Sequence, residues 1–225
     1  MDLIFDPPEL GCVLHLPGLP NGGSTILDRS PYGNHGTLGA GAAAPTWARL
    51  PSGLWYLDFD GGDKILCGNH ILLQVGGSDY TVEVWFKPTN AAGWQAIISK
   101  SNVQYKNRYS LGIKNSGIWA FKEVANDGGI QIGGGTVTST AYHHGVLTMG
   151  SAGYKVYLDG ILADSSASTT TPASGTYTEL QIGWDVWSEE PWRGSIALPR
   201  IYNRILSALE IQNHYQREKH LFGVV

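Results

Sequence analysis

Three groups of residues in this 225-residue sequence are of types that could do chemistry. Asp58, Asp60 and Asp63 lie close together and, with the loop around Asp28 and Asn34, could offer hard oxygen ligands to calcium, which takes six to eight oxygens. The alternative is that Asp60 opens an Asp-Gly turn while Asp58 faces solvent. The second group holds the carboxylates and histidines that hydrolysis would need. Cleavage of a glycosidic bond uses two flanking carboxylates, but Glu83 is followed by Trp85 and Lys87 on its strand face and Glu189-Glu190 reads as solvated loop charge. His143 and His144, being adjacent, would point to opposite sides of a strand and cannot chelate one ion as a pair, so they read as packing residues. A nucleophile elbow, a P-loop and a dinucleotide fingerprint are absent.

The third group is aromatic. Trp184, Trp187 and Trp192 crowd together with Asp185, Glu189, Glu190 and Arg193. Such a segment can stack sugar rings while its charged groups bond hydroxyls, or form a protein-contact patch rich in Trp and Arg. It can equally cap the end of the fold with two of its three rings. A further set, Trp94, Tyr105, Arg108 and Tyr109, is a second candidate contact surface.

Short strands must position these residues. With 30 Gly, 11 Pro, 11% aromatic and 15% charged residues, the chain has the composition of many strands joined by tight turns. Alternation is clearest in Tyr80 to Lys87, where Val82, Val84 and Phe86 share one face and Glu83 and Trp85 the other. Other strands are expected at Val13–Leu16, Trp55–Phe59, Ala96–Lys100, Tyr109–Ile113, Ile118–Val124, Gly145–Met149, Tyr154–Leu158, Leu180–Gly183 and Ser195–Tyr202. Asp159-Gly160 marks a two-residue hairpin, because a type I′ turn needs positive φ at both positions. Ser165 to Ser174 reads as one flexible loop. Ser207 with Glu210 forms a capping box, and Leu206 with Ile211 a staple, for a helix from Ala208 to Arg217 that turns Ile211, His214 and Tyr215 inward.

A formal net charge of -4 argues against nucleic acid as a partner. No apolar stretch is long enough for a membrane span, so no membrane insertion is expected. The acidic, proline-containing start lacks the pattern of an export signal, and Cys12 and Cys67 are expected to be reduced, buried thiols.

Five segments, in order, resemble the laminin-G-like, concanavalin A-like lectin/glucanase jelly-roll superfamily. They are Asp28 to Gly36, Phe59-Asp60-Gly61-Gly62-Asp63, Tyr80 to Pro88, Tyr157-Leu158-Asp159-Gly160, and Gly194 to Leu206. The resemblance covers about residues 10 to 217. It implies an all-β fold of two antiparallel sheets packed face to face, with a short C-terminal helix and with the chain ends close together in one sheet. Ala197-Leu198-Pro199 departs from the acidic residues usual in the closing strand, which weakens the case for a bound calcium. Pro199 should place a bulge there or put the strand on an edge.

The expected organisation is an N-terminal arm (1–10), one jelly-roll domain (11–217) and a C-terminal tail (218–225). The function expected is a non-catalytic binding or structural module. With no export signal or appended catalytic domain, it reads as a surface component of a larger assembly such as a phage particle. There it would contact protein neighbours, as a homo-oligomer or against capsid and tail proteins, and glycans. Apolar Leu221, Phe222, Val224 and Val225 would serve as a contact strip. The alternative is a free-standing carbohydrate-binding protein. The candidate ligand residues are Trp184, Asp185, Trp187, Trp192, Arg193, Trp94, Tyr105 and Tyr109, and the candidate calcium ligands are Asp28, Asp60 and Asp63.

Overall fold

The computed structural model describes residues 10–18, 20, 23–74, 78–101, 108–124, 128–170, 178–185 and 191–225. Along these residues run β1 (Cys12–His15), β2 (Thr25–Ile26), β3 (Gly36–Leu38), β4 (Thr46–Arg49), β5 (Trp55–Asp60), β6 (Ile65–Leu66), β7 (Tyr80–Pro88) and β8 (Trp94–Ser101). They continue with β9 (Arg108–Lys114), β10 (Gly117–Val124), β11 (Gly128–Gly134), β12 (His143–Met149), β13 (Tyr154–Leu158), β14 (Ile161–Ser166), β15 (Gln181–Ile182) and β16 (Arg193–Tyr202). A single α-helix among the described residues, α1 (Ala208–Glu218), follows the last strand.

The strands form two antiparallel sheets. The first has the order β14-β13-β12-β7-β16-β5-β4, with β1 also paired to β16; the second has the order β11-β10-β9-β8-β15-β6-β3-β2. Cys12 pairs with Tyr202, so the two ends of the domain share a sheet as the resemblance implies. Strand alternation builds the core: Val82, Val84 and Phe86 of β7 meet Ile98, Leu111, Ile113 and Ile118 of the opposite sheet in one buried cluster.

The local signals act as their chemistry requires. Asp159 and Gly160 have φ of 54° and 78°, and Leu158 pairs with Ile161 across the turn. Pro199 lies in a bulge of β16, where the register with β7 shifts between Ala197 and Arg200 and Leu198 has φ 49°. The strand is central, not an edge, because the bulge absorbs the missing donor. Ser207 Oγ accepts from the Glu210 amide while the Glu210 carboxylate accepts from the Ser207 amide, and Leu206 and Ile211 lie in one cluster.

Two expectations need correction here. Ser165 and Ser166 belong to edge strand β14, paired to β13, and not to a loop. The C-terminal tail is no free arm: Lys219–Phe222 form a 3-10 turn, and Phe222 stacks on Trp85 at 4.2 Å between ring centres, with Leu221 and Val224 packed beside it. Burying those apolar side chains against the chain's own sheet outweighs leaving them in water. Residues 1–9 of the expected N-terminal arm lie outside the described residues. Cys12 and Cys67 are free, buried thiols, and burial pushes both up to about 12.

Candidate functional site

The outer faces of the two sheets differ in what covers them. On the first sheet, the alternate residues of β7 point away from the core at Glu83 and Trp85, and α1 with the following turn lies over them. Glu83 is fully buried. Its Oε1 lies 2.7 Å from His144 Nε2 and 2.9 Å from His214 Nδ1, and its Oε2 accepts from the Tyr202 hydroxyl at 3.1 Å. Arg200 stands 3.6 Å from the same carboxylate and pairs at 2.5 Å with Glu218, whose other oxygen accepts from the Trp85 indole at 2.7 Å. Burial alone would raise the Glu83 carboxyl. The His214 and Arg200 charges and the hydrogen bonds from His144 and His214 instead hold it well below the usual carboxylate range. A carboxylate sealed this way has no access to a substrate; it ties β7, β12, β16 and α1 together.

The second sheet carries a different outer face. Alternation in β10 sends Ile118 and Ala120 into the core and Trp119 and Phe121 outward. The register places Gly112 and Gly133 on either side of Trp119 and Ser110 and Gln131 on either side of Phe121. With glycine on both flanks, the Trp119 ring lies along the sheet against Trp94, at 5.0 Å between centres, and Phe121, stacked at 5.7 Å. Lys114 Nζ sits 3.9 Å over the Trp94 ring and 3.4 Å from Gln131 Oε1.

Beside these rings is an open groove of about 440 Å³ lined by Lys114, Trp119, Gln131, Asp164 and the backbone of Gly133 to Gly135. Asp164 is engaged: one oxygen accepts from the Gly133 amide and the other from the Ser165 amide. Among the described residues three polar atoms on this face are buried without a hydrogen-bond partner, Trp119 Nε1, Ser110 Oγ and Gln181 Oε1. Buried polar groups in native folds are nearly always satisfied; both nitrogens of His15 and Nδ1 of His144 near the covered face, and the core Trp192 indole, are exceptions of the same kind.

The expected site residues divide. Trp94 belongs to this face. Trp184 is half-buried, and its carbonyl accepts from Ser99 Oγ, which the register sets beside Ser110. Trp192 does not: it is fully buried, edge-on to Phe86 at 5.6 Å in the core between the sheets. Tyr109 is likewise fully buried, edge-on to Tyr80, with its hydroxyl on the Leu73 carbonyl. Tyr109 shares the inward phase of β9 with Leu111 and Ile113, and Trp192 stands just before β16 with its ring turned into the same core. Asp185 is buried as well. Arg193 lies over Gly61 and donates to the Asp60 carbonyl, so it fastens the Asp60-Gly61 turn. Trp187 and Tyr105 lie outside the described residues. Trp119, Lys114 and Gln131 were missed; the signal was the Trp119–Phe121 alternation, read only as a strand.

The expected calcium ligands are drawn into hydrogen bonds of their own turns. Asp28 accepts from the amides of His15, Ser30 and Asn34 and from Ser30 Oγ, which leaves both oxygens engaged in stitching its loop to β1. Asp63 accepts from the Asp60 amide and Asp60 from the Gly62 amide, a local turn in which burial raises the Asp63 carboxyl. Among the described residues no three His, Cys, Asp or Glu side chains converge.

Two antiparallel sheets packed face to face, with the ends of the domain paired in one of them, define a jelly-roll sandwich. The chain belongs to the concanavalin A-like lectin/glucanases superfamily, whose family model matches residues 59–212. Comparison with curated proteins finds no match. Among solved structures the chain is similar to the binding domain of Paraclostridial mosquitocidal protein 1 (13% identity, TM-score 0.74, covering 95% of this chain and 53% of that one). It is also similar to the botulinum neurotoxin serotype G binding domain (16%, 0.70, 92% and 51%). The chain therefore spans about half the length of these toxin domains. Domain 4 of AbnA, an extracellular arabinanase from Geobacillus stearothermophilus solved with arabinotriose, is matched over nearly its whole length (17%, 0.68, 92% and 98%).

Proposed function

We propose that this chain is a non-catalytic glycan-binding module that takes its ligand along the outer face of the second sheet, over Trp94 and Trp119. The observation that carries this reading is the open groove beside Trp119, lined by Lys114, Gln131 and glycine backbone next to the Trp94 and Trp119 rings. Aromatic rings next to a glycine-lined floor let a flat sugar face approach, and the polar groups beside them give it orientation. The arabinotriose complex of a similar domain supports the ligand class. The sealed state of Glu83 supports a role without catalysis. A place on the surface of a larger assembly such as a phage particle remains compatible with a glycan-binding face, but its argument from a free C-terminal contact strip falls away now that Phe222 is seated on Trp85.

The test is a glycan array probed with the purified chain and with Trp94→Ala. Binding that falls at least tenfold in the variant, with little change in melting, supports the reading. Absence of binding to any glycan class overturns it.

A further inference from the structure

We infer that the groove beside Trp119 selects an acidic sugar, whose anionic group pairs with Lys114. The inference rests on the glycan-binding reading and concerns which glycan is taken.

Donors and acceptors in the groove are out of balance. Lys114 is the one cation among its lining residues and Asp164 the one anion. Asp164 is already held by the Gly133 and Ser165 amides. Among the described residues Lys114 has no carboxylate partner; its ammonium faces the Trp94 ring and touches the neutral Gln131 oxygen, at the outer limit of a hydrogen bond. That contact occupies Gln131 Oε1 and leaves the Gln131 amide group as a donor. Trp119, more than nine-tenths buried, carries an indole N–H without an acceptor among the described residues.

The groove thus presents the Lys114 ammonium and the Gln131 amide group as donors, with Asn115 able to donate or accept and the one carboxylate, Asp164, already engaged. A neutral sugar offers hydroxyls that both donate and accept, and its donated protons would find few partners here. A carboxylate or sulfate on the sugar is acceptor-only, matches the donor surplus, and makes a charge-assisted bond to Lys114. The Trp94 ring beneath the ammonium holds it in place without neutralising it. Gly133 to Gly135 on the groove wall lack side chains that would keep a charged ring substituent from the backbone.

The experiment uses the purified chain in two steps. An array of acidic and neutral oligosaccharides is probed at low salt. The tightest binder is then compared by calorimetry with its methyl-esterified or desulfated form, against wild type, Lys114→Gln and Trp119→Phe. The expected result is a preference for acidic glycans, at least tenfold weaker binding once the anion is masked, and loss of that discrimination in Lys114→Gln. Trp119→Phe, which keeps a smaller aromatic ring and removes the N–H, should weaken the native and masked forms alike by a few-fold. A carboxylate-bearing or a sulfated best binder upholds the inference equally, and the array tells the two apart. If the bound glycans are neutral, if masking the anion changes nothing, or if discrimination survives in Lys114→Gln, the inference is overturned while the glycan reading stands. If nothing on the array binds, the glycan reading itself fails. The comparison of masked and unmasked ligand on wild type needs no variant to fold.

Discussion

The outer faces of the two sheets start from the same alternation and end differently. On the first, β7 presents Glu83 and Trp85, and the chain covers them with α1 and the Lys219–Phe222 turn, so that every polar atom of the Glu83 carboxylate has a partner. On the second, β10 turns Trp119 outward between Gly112 and Gly133 and Phe121 between Ser110 and Gln131, and among the described residues Trp119 Nε1, Ser110 Oγ and Gln181 Oε1 have none. A buried charge is tolerable only when paired and hydrogen-bonded. On the first face the protein pairs the buried charges itself and, among the described residues, leaves only imidazole nitrogens of His15 and His144 without partners. On the second an open groove lies beside the buried rings, and that contrast separates a stability element from a candidate recognition surface.

The contrast predicts large stability losses on the covered face. Trp85→Ala removes the Phe222 and Tyr215 stacks and the Glu218 bond, and should destabilise the fold by about 3–5 kcal/mol. Glu83→Ala leaves Arg200 short of a partner and should cost a similar amount, about 3–5 kcal/mol. Denaturant unfolding measures both; a Trp85→Ala protein as stable as wild type would mean that the C-terminal turn does not seat on the sheet.

Acid should reach this face through His15. The side chain is buried with neither ring nitrogen partnered, and burial together with the Arg200 charge lowers its pKa to about 3. The unfolded chain binds a proton near pH 6.5 that the folded one refuses, so stability is full above about pH 6.5 and declines towards pH 3. The decline is up to about 1.4 kcal/mol per pH unit. Glu83 acts later: its carboxyl lies below the ordinary range, so its contribution persists until the pH falls through that depressed value. His15→Phe should flatten the first part of the profile; an unchanged slope between pH 6 and 4 would assign the acid loss to another group.

Ser207→Ala, at the helix that covers the first face, should cost about 1 kcal/mol through loss of the cap. The smallest effect belongs to the second face. Trp184→Ala should shift stability by under about 1 kcal/mol, because the Ser99 bond is to the Trp184 carbonyl and the backbone remains. Chelator should leave the melt in place, since Asp28 and Asp63 are engaged by backbone amides; a drop in melting temperature that added calcium restores would put an ion back into the loop.

The local devices were all legible. The Asp159-Gly160 turn, the Ser207–Glu210 box, the alternation in β7 and the bulge at Pro199 each depend on a few consecutive residues, whose φ preference, hydrogen-bonding reach or missing N–H is a property of the chain itself. The strands Thr25–Ile26, Gly36–Leu38, Thr46–Arg49, Ile65–Leu66 and Gly128–Gly134 escaped because they are short or glycine-rich and owe their extension to the neighbour they pair with. The site was legible only in part. Trp94 could be named as an exposed aromatic, but Trp192 and Tyr109, chosen by the same rule, are core.

Tertiary structure alone decides which side of a sheet a ring faces and what stands opposite it. Register sets Trp119 between Gly112 and Gly133, residues distant in sequence. It sets Lys100, Tyr109 and Lys122 in one inward row, where Lys100 reaches the Thr178 carbonyl and Lys122 the Thr170 carbonyl. It brings His144 and His214 to one carboxylate oxygen from a strand and a helix. The sequence by itself determined turns, caps and strand phase, because those energies are local. Pairing and burial determined the charged hub and the groove, because both are made of contacts between residues that meet only when the sheets close.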